Sequence, residues 1–163
     1  MNTKIVVVSD THCRYWEEID PQIRNELTNA DISVHCGDFV GSDVVSKFKS
    51  LTNSSVLVHG NSDPVEIRKS IPYIETFTVG SFNFGVIHPA WGGPEFNLQE
   101  LLKDFVAKPD VILFGHTHEP VDKTIKDVRF INPGQGYKSF MASCTIAKIN
   151  VDGSKITVKI MYF

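Results

Sequence analysis

Five short apolar runs recur along this chain, and each is followed within a few residues by a side chain with an oxygen or imidazole donor. Each run holds four or five residues, which is too short for a helix and typical of strands buried on both faces. A chain built this way must bring several strand ends close together, and this requirement constrains the fold more than any other feature. The runs cover residues 5–8, 32–36, 56–59, 84–87 and 111–114.

The segments around these runs alternate in type. Residues 21–29 and 42–51 have apolar side chains at helical spacing, with Ser42 as N-cap, and they predict two helices between three parallel strands. Residues 97–106 predict the clearest helix, which begins at Asn97. Helices combined with hairpins predict an α/β fold with mixed sheets. The hairpins are expected at Gly80-Ser81 and Asp152-Gly153, and one more strand over residues 128–131.

Length and charge exclude several classes of protein. The chain has 163 residues without a repeat or a linker, which predicts one domain over residues 1–163. A complete (β/α)₈ barrel needs roughly 200 residues or more and is excluded. Lys and Arg number 16 against 19 Asp and Glu, a net charge of −3 without a basic cluster. Binding to duplex nucleic acid is therefore not expected.

Apolar stretches and cysteines bear on the cellular compartment. No stretch matches the about 7–15 apolar residues of a signal peptide or the about 20 of a membrane span. We therefore expect a cytoplasmic protein without membrane contact. Cys13, Cys36 and Cys144 are odd in number and lack CxxC spacing, so they support neither a disulfide framework nor a zinc ribbon. The apolar neighbours of Cys36 and Cys144 predict core positions.

Seven oxygen and imidazole donors follow the apolar runs. Because the carboxyl ends of strands form the ligand crevice of an open α/β sheet, these donors are expected to converge. Four imidazoles, two carboxylates and one amide exceed the needs of one tetrahedral zinc, and they suit two divalent ions that share a bridging carboxylate. The set favours Mn²⁺, Fe or Zn²⁺, with Ni²⁺ or Co²⁺ as alternatives, over Cu(I) or an iron–sulfur cluster. The donors are Asp10, His12, Asp38, Asn61, His88, His116 and His118.

Several residues beside these donors are expected to have structural roles. Gly37, Gly60 and Gly115 would permit tight turns where a strand stops. His35 and His59 lie inside apolar runs, which predicts core or supporting positions rather than direct metal binding.

The order of the donors resembles the calcineurin-like metallophosphoesterase family, in particular its small single-domain prokaryotic phosphodiesterase branch. The resemblance implies a four-layer α/β/β/α sandwich of two mixed β-sheets. It also implies that one metal ion binds Asp10, His12 and His118, that the other binds Asn61, His88 and His116, and that Asp38 bridges both. The matching motifs are Asp10-x-His12, Gly37-Asp38, Gly60-Asn61-x-Asp63, His88, Gly115-His116-x-His118 and Asn132-Pro133-Gly134.

Two positions depart from the family pattern. Ser62 stands where many members carry a histidine that acts as general acid, so Asp63, which orients that histidine in the family, lacks its usual partner. A serine hydroxyl does not release its proton near pH 7 as an imidazolium does. Water must then protonate the leaving group, unless the leaving group needs no proton. Pro89 follows the donor His88 where the family tends to have glycine, and proline restricts the residue before it.

The chemistry expected from this resemblance is metal-dependent hydrolysis of a small phosphate ester, most readily a phosphodiester. Two divalent ions, with Mn²⁺ expected, would activate a bridging hydroxide for attack on phosphorus. Asp38, Asn61 and Asp63 are the expected catalytic residues. Contacts with the substrate are expected from Arg14, Ser62 and Trp91, whereas Tyr15 and Trp16 either stack on a substrate ring or pack the loop against a helix.

Other functions compete with this one. The retromer small subunit resembles the same branch and serves as a scaffold, so a catalytically weak metal-binding scaffold is the main alternative. A metal-dependent amide hydrolase would explain His116-x-His118 but not the Gly60-Asn61 motif. The apolar tail, residues 160–163, leaves two roles open, which are covering a sheet edge and forming a homodimer contact.

Overall fold

The computed structural model describes residues 1–93 and 95–163, which form two five-stranded sheets with helices on the outside. Two 3₁₀ helices span Trp16–Glu18 and Leu98–Asp104. Three α-helices are α1 (Pro21–Thr28), α2 (Ser42–Leu51) and α3 (Val65–Ser70). The strands are β1 (Asn2–Val8), β2 (Ile32–His35), β3 (Ser55–Leu57), β4 (Ile74–Val79), β5 (Phe82–Ile87), β6 (Val111–Phe114), β7 (Pro120–Ile125), β8 (Val128–Pro133), β9 (Thr145–Asp152) and β10 (Lys155–Tyr162).

Both sheets are mixed, as the sequence predicts. The first has the order β10-β9-β1-β2-β3, in which β1, β2 and β3 run parallel and the C-terminal hairpin is antiparallel. The second has the order β4-β5-β6-β8-β7, in which β5, β6 and β8 run parallel between antiparallel edge strands. The parallel strands in each sheet end on the same side, which brings the predicted donors together.

Alternation of side chains along the strands divides the core into three apolar layers. In β1, Ile5 and Val7 face the second sheet, whereas Val6 and Val8 face the helices α1 and α2. On the far side of the second sheet, Phe114 packs in a smaller layer beneath the second 3₁₀ helix. The order of layers is therefore helices, sheet, sheet and 3₁₀ helix, and the predicted four-layer class is confirmed.

The predicted helix over residues 97–106 is wrong in type and in length. Asn97 is the N-cap, and its side chain accepts from Gln99 N at 3.0 Å, but the segment is a 3₁₀ helix that ends at Asp104. Residues three apart eclipse in a 3₁₀ helix, so Leu98 and Leu101 lie on one side, and Leu102 beside them packs against the same apolar layer. Val106 falls beyond the helix and is fully exposed.

Smaller differences concern elements that the sequence hides. Gly41, rather than Ser42, occupies the N-cap of α2. The pattern did not reveal α3, which is only one and a half turns long, or the edge strand β7, which begins with a proline and is largely exposed. None of the described helices has both the length and the apolar character needed to cross a membrane.

The predicted core positions of Cys36 and Cys144 are confirmed, and part of the C-terminal tail is also packed against the core. All three cysteines are buried free thiols, and burial raises the pKa of the Cys13 thiol to about 11. A thiol with this pKa is inert near neutral pH. In the tail, Met161 and Phe163 pack against the core beneath the helices, whereas Tyr162 is exposed.

Candidate metal centre

Sharp backbone turns follow the parallel strands at the carboxyl edge, and they direct the predicted donors inward. Residues other than glycine rarely adopt a positive φ, and such strain is concentrated at functional sites. Here it occurs at five of the seven predicted donors. The φ values are 53° at Asp10, 46° at His12, 61° at Asp38, 79° at His116 and 62° at His118.

Asp10 lies at the base of the centre, with its two carboxylate oxygens in different surroundings. Oδ2 accepts from Ser9 Oγ at 2.5 Å and from the backbone N–H of His116 at 3.1 Å. Oδ1 is buried, and no hydrogen bond from the described residues reaches it. It faces His118 Nε2 at 3.2 Å and His12 Nε2 at 3.8 Å. The Nε2 of His12 is likewise buried without a hydrogen bond from the described residues, so this group of three can hold a cation.

Asp38 lies between this group and the remaining donors. Its Oδ2 is 3.6 Å from His12 Nε2 on one side and 3.4 Å from His88 Nε2 on the other. Its Oδ1 accepts from the backbone N–H of Ser62 at 2.8 Å. Asp38 thus has the position that a shared carboxylate requires.

The second group of donors consists of Asn61, His88 and His116. The Oδ1 of Asn61 lies 3.0 Å from His88 Nε2 and 3.1 Å from His116 Nδ1. The opposite ring nitrogens face backbone carbonyls, Cys36 O at 2.8 Å and Gly92 O at 3.0 Å. A carbonyl can only accept, so it keeps the proton on that nitrogen and leaves the other free to bind metal.

The charges of the centre are arranged for positive ions. Burial raises the pKa of the Asp10 carboxyl, but the adjacent imidazoles of His118 and His12 outweigh burial and hold this pKa well below its usual range. For Asp38, burial acts in the same direction and is outweighed by His88, so its pKa is also lowered. Burial lowers the pKa of His88, yet Asp38 and Asp10 raise it overall. Both carboxylates are therefore anionic at neutral pH.

Geometry and donor chemistry together fit divalent ions. Asp10, Asp38 and His88 are buried at the base, whereas Asn61 is exposed and the other three histidines are partly exposed at the rim. The centre is therefore open to a small ligand. The structure brings all seven predicted donors into one network. Two overlapping subsets, Asp10-His12-His118 and Asp10-Asp38-His88, are each close enough to hold a metal ion. A mixed set of carboxylate oxygens and imidazole nitrogens is compatible with Mn²⁺, Fe or Zn²⁺.

The glycines support the centre in a different way from the one predicted. Gly37 does adopt a positive φ of 99°. Gly60 and Gly115 have no positive φ, and they are required because other groups approach them closely. A Cβ on Gly60 would collide with Asp38 Oδ1, and one on Gly115 would collide with Ser9 Oγ.

The predicted substrate contacts lie at the rim, where their roles stay predictions. Arg14 and Ser62 are exposed. Trp91 is 46% exposed, and its Nε1 donates to Tyr73 Oη and to Asp104 Oδ2, each at 3.1 Å. Trp16, by contrast, is buried edge-on against Phe48 of α2, which confirms loop packing rather than stacking for this residue. Pro89 fits within a turn, in which Gly92 N donates to Pro89 O at 2.9 Å.

Sequence reasoning missed several residues that contact the donors. Ser9 holds Asp10, and Tyr137 lies against His12 and His118. Gln135 is buried beside His118 and, after the larger effect of Asp10, helps to raise the pKa of that histidine. Gln135 and Tyr137 closely follow Asn132-Pro133-Gly134, so this motif was the available signal.

The predicted core position of His35 is confirmed. His35 is fully buried, stacks on Phe39 and lies 3.0 Å from Thr11 Oγ1. His59 follows β3 and is partly exposed, with its ring 6.0 Å from that of Tyr73.

Comparisons with known proteins identify the family of this chain. The sequence model of the family described as Calcineurin-like phosphoesterase superfamily domain matches residues 3–154. A probable metallophosphoesterase of Methanocaldococcus jannaschii is 31% identical, with 96% of this chain and 80% of the relative covered. A phosphodiesterase of the same organism is 28% identical, with 81% and 83% covered. The solution structure of a Thermotoga maritima protein is 31% identical, with a TM-score of 0.78 and 99% of both chains covered.

Proposed function

The chain belongs to the calcineurin-like phosphoesterase superfamily, and we propose that it is a phosphodiesterase whose centre holds two divalent ions. Asp10, His12 and His118 would bind one ion, and Asn61, His88 and His116 the other. The position of Asp38 carries this proposal, since its Oδ2 lies 3.6 Å from His12 Nε2 and 3.4 Å from His88 Nε2. The expected ion is Mn²⁺. When bound, the ions supply the Lewis acidity that polarises a phosphoryl oxygen and acidifies a water molecule.

The protein's own residues set the charge and the access that this reaction needs. The lowered pKa values of Asp10 and Asp38 keep both carboxylates ionised. His88 and His116 are oriented by carbonyl oxygens, so neither ring needs to rotate before it binds. Asn61 is exposed and can also reach a phosphoryl oxygen. Such fixed groups stabilise the transition-state charge without reorganisation.

Protonation of the leaving group distinguishes this centre from many of its relatives. Ser62 is exposed at the position of the general acid, and its backbone N–H is committed to Asp38 Oδ1. Esters with good leaving groups, which need no proton, are therefore the better substrates. Phosphodiesters with aryl leaving groups should exceed alkyl esters in rate.

Chelation followed by metal addition tests the proposal. Protein freed of metal by a chelator should be inactive on bis(p-nitrophenyl) phosphate, and Mn²⁺ should restore activity at two ions per chain by elemental analysis. Asp38→Asn should lose most of this activity and bind fewer ions, whereas Asp152→Asn, in the exposed C-terminal hairpin, should match the parent. Full activity of metal-free protein, or of Asp38→Asn with two ions bound, would refute the proposed centre.

A second candidate is a metal-binding scaffold with little catalytic activity. Ser62 favours it, because the imidazole that protonates leaving groups in many relatives is missing. The same experiment decides between the two functions. Two bound ions without turnover of any aryl ester would support the scaffold.

A further inference from the structure

The loop over residues 137–143 begins at the metal centre with Tyr137. The ring of Tyr137 lies edge-on to the imidazoles of His12 and His118, with centroids 5.4 and 5.9 Å apart. Both histidines belong to the first group of donors, and His12 also approaches Asp38. A phosphoryl group bound at the centre would therefore have Tyr137 beside it.

Hydrogen bonds fix the base of this loop. The N–H of Gly136 donates to the carbonyl oxygens of Ser9 at 2.7 Å and Asp10 at 3.2 Å. The Nε2 of buried Gln135 donates to the carbonyl oxygen of Tyr137 at 2.9 Å and to Ser139 Oγ at 3.2 Å. The position of Tyr137 is thus tied to the backbone that carries Asp10.

The tip of the loop presents two large apolar side chains to solvent. Phe140 is 100% exposed and Met141 is 87% exposed. Single exposed apolar residues are common, but neighbouring ones beside a functional site mark a place where a ligand is bound. Three peptide units span at most about 11 Å, so the Cα of Phe140 lies within that distance of the Cα of Tyr137.

We infer that the 137–143 loop is an apolar subsite for an aryl or nucleobase substituent of a phosphate ester. The inference rests on the proposed phosphoesterase function. A phosphodiester bound at the ions has two substituents that extend away from phosphorus. The substituent on the side of His12 and His118 would contact Tyr137. Its ring edge and face, with Phe140 and Met141, contact an aromatic group better than a methyl group.

The side of the centre that carries Trp91 is less suited to binding an aromatic substituent of the ester. Trp91 already uses its Nε1–H on Tyr73 and Asp104, and its ring packs edge-on against Phe96. The carboxylate of Asp104 also brings a negative charge to that side. The 137–143 loop has no acidic residue, and Lys138 on it is exposed. The anionic ester therefore fits better on the side of the 137–143 loop.

Two diesters with the same leaving group test the subsite. Bis(p-nitrophenyl) phosphate and methyl p-nitrophenyl phosphate both release p-nitrophenolate and differ only in the substituent that stays on phosphorus. In Mn²⁺-loaded protein, the double substitution Phe140→Ala and Met141→Ala should lower kcat/KM about 5- to 10-fold on the diaryl ester. The methyl ester should change less than about 2-fold. Tyr162→Ala removes another exposed aromatic side chain, which is 67% exposed on β10, and is the control.

Tyr137 is tested with a pair of variants. Tyr137→Phe keeps the ring and should keep the preference for the diaryl ester, whereas Tyr137→Ala should lose it at unchanged metal content. An equal loss on both esters would show that the loop only supports the metal ligands, and this result would overturn the subsite.

A binding measurement separates this inference from the proposed activity. Calorimetry with phenylphosphonate and methylphosphonate, which are not hydrolysed, should show tighter binding of the phenyl compound to the parent and loss of that preference in the double variant. Such a result without turnover of either diester would refute the phosphodiesterase and retain the subsite. Equal affinity of the parent for both phosphonates would refute the subsite, whatever the activity.

Discussion

The carboxylate of Asp63 holds the backbone of Asp38, with Asp63 Oδ2 3.0 Å from the Asp38 nitrogen. The same carboxylate also accepts from Gly60 N at 2.7 Å and from Val40 N at 2.8 Å. Both Asp38 and Val40 have positive φ, so Asp63 stabilises a strained turn that carries the central metal ligand. Its role in orienting a general acid stays a prediction, but its structural role is evident from these three hydrogen bonds.

Asp63→Asn should destabilise the fold and weaken metal binding together. An amide presents a donor to at least one of the three N–H groups, and buried hydrogen bonds to a charged group contribute about 1.5–3 kcal/mol each. We expect a loss of about 2–4 kcal/mol in the free energy of unfolding by urea titration. Asp152→Asn should stay within about 0.5 kcal/mol. Parent-like stability of Asp63→Asn would show that the three hydrogen bonds contribute little.

Gly60→Ala should damage the centre because of a steric conflict with Asp38. The added Cβ would collide with Asp38 Oδ1 and lie 2.6 Å from the Asp38 nitrogen. We expect a loss of about 1–3 kcal/mol and a smaller rise in Tm on adding Mn²⁺. Gly93→Ala is the matched control, since no described atom lies within 4 Å of its Cβ. Equal Mn²⁺-dependent shifts in both variants would contradict the prediction.

Ser62→His should raise turnover selectively for esters with poor leaving groups. A native general acid contributes about 10²–10⁴-fold. Because the Asp63 carboxylate is already engaged by three N–H groups, it would orient the new imidazole weakly, so we expect about 10-fold or less. The comparison uses a p-nitrophenyl and an alkyl phosphate ester at equal Mn²⁺ occupancy, with Ser62→Ala as control. The same change on both esters would mean that position 62 does not face the leaving group.

His35 should make the metal-free protein less stable in mild acid. Gly37 N–H donates to its Nδ1 at 3.1 Å, so this nitrogen is unprotonated, and burial lowers the pKa of His35 to about 3. The pKa of a histidine in the unfolded chain is about 6.5. Below this pH, His35 is protonated in the unfolded chain but stays neutral in the native protein. The contribution of neutral His35 to the free energy of unfolding is therefore fully present above pH 6.5 and is lost as the pH falls towards 3.

Replacing His35 checks this pH dependence. When the pH falls from 6.5 to 5, protonation of His35 in the unfolded chain should lower the free energy of unfolding by about 2 kcal/mol. His35→Gln keeps an acceptor for Gly37 and cannot titrate, so its urea-derived stability should fall by that much less over the same interval. Other titrating groups are common to both proteins, and those that do not interact with His35 cancel in the difference. Parallel curves for parent and variant would contradict the predicted pKa of His35.

Local sequence determined the strands and the donors of this protein. A short β-branched run such as that in β1 favours a buried strand, and a polar residue directly after it then lies at the strand's carboxyl end. That rule placed Asp10 and Asp38 at strand ends of the first sheet and His116 at a strand end of the second. The family resemblance placed Asp38 between the two donor groups.

Only the tertiary structure decided which atoms meet. The His116 N–H reaches Asp10 Oδ2 across 106 positions of sequence, and Gly60 is glycine because Asp38 from another loop lies against it. The 3₁₀ helix at Leu98–Asp104 likewise follows from the sheet face that it covers, not from its own apolar spacing. The periodicity of apolar residues reflects only neighbours along the chain. The close approach of two atoms, the strain at a residue and the partner of a hydrogen bond depend on how segments distant in sequence pack together.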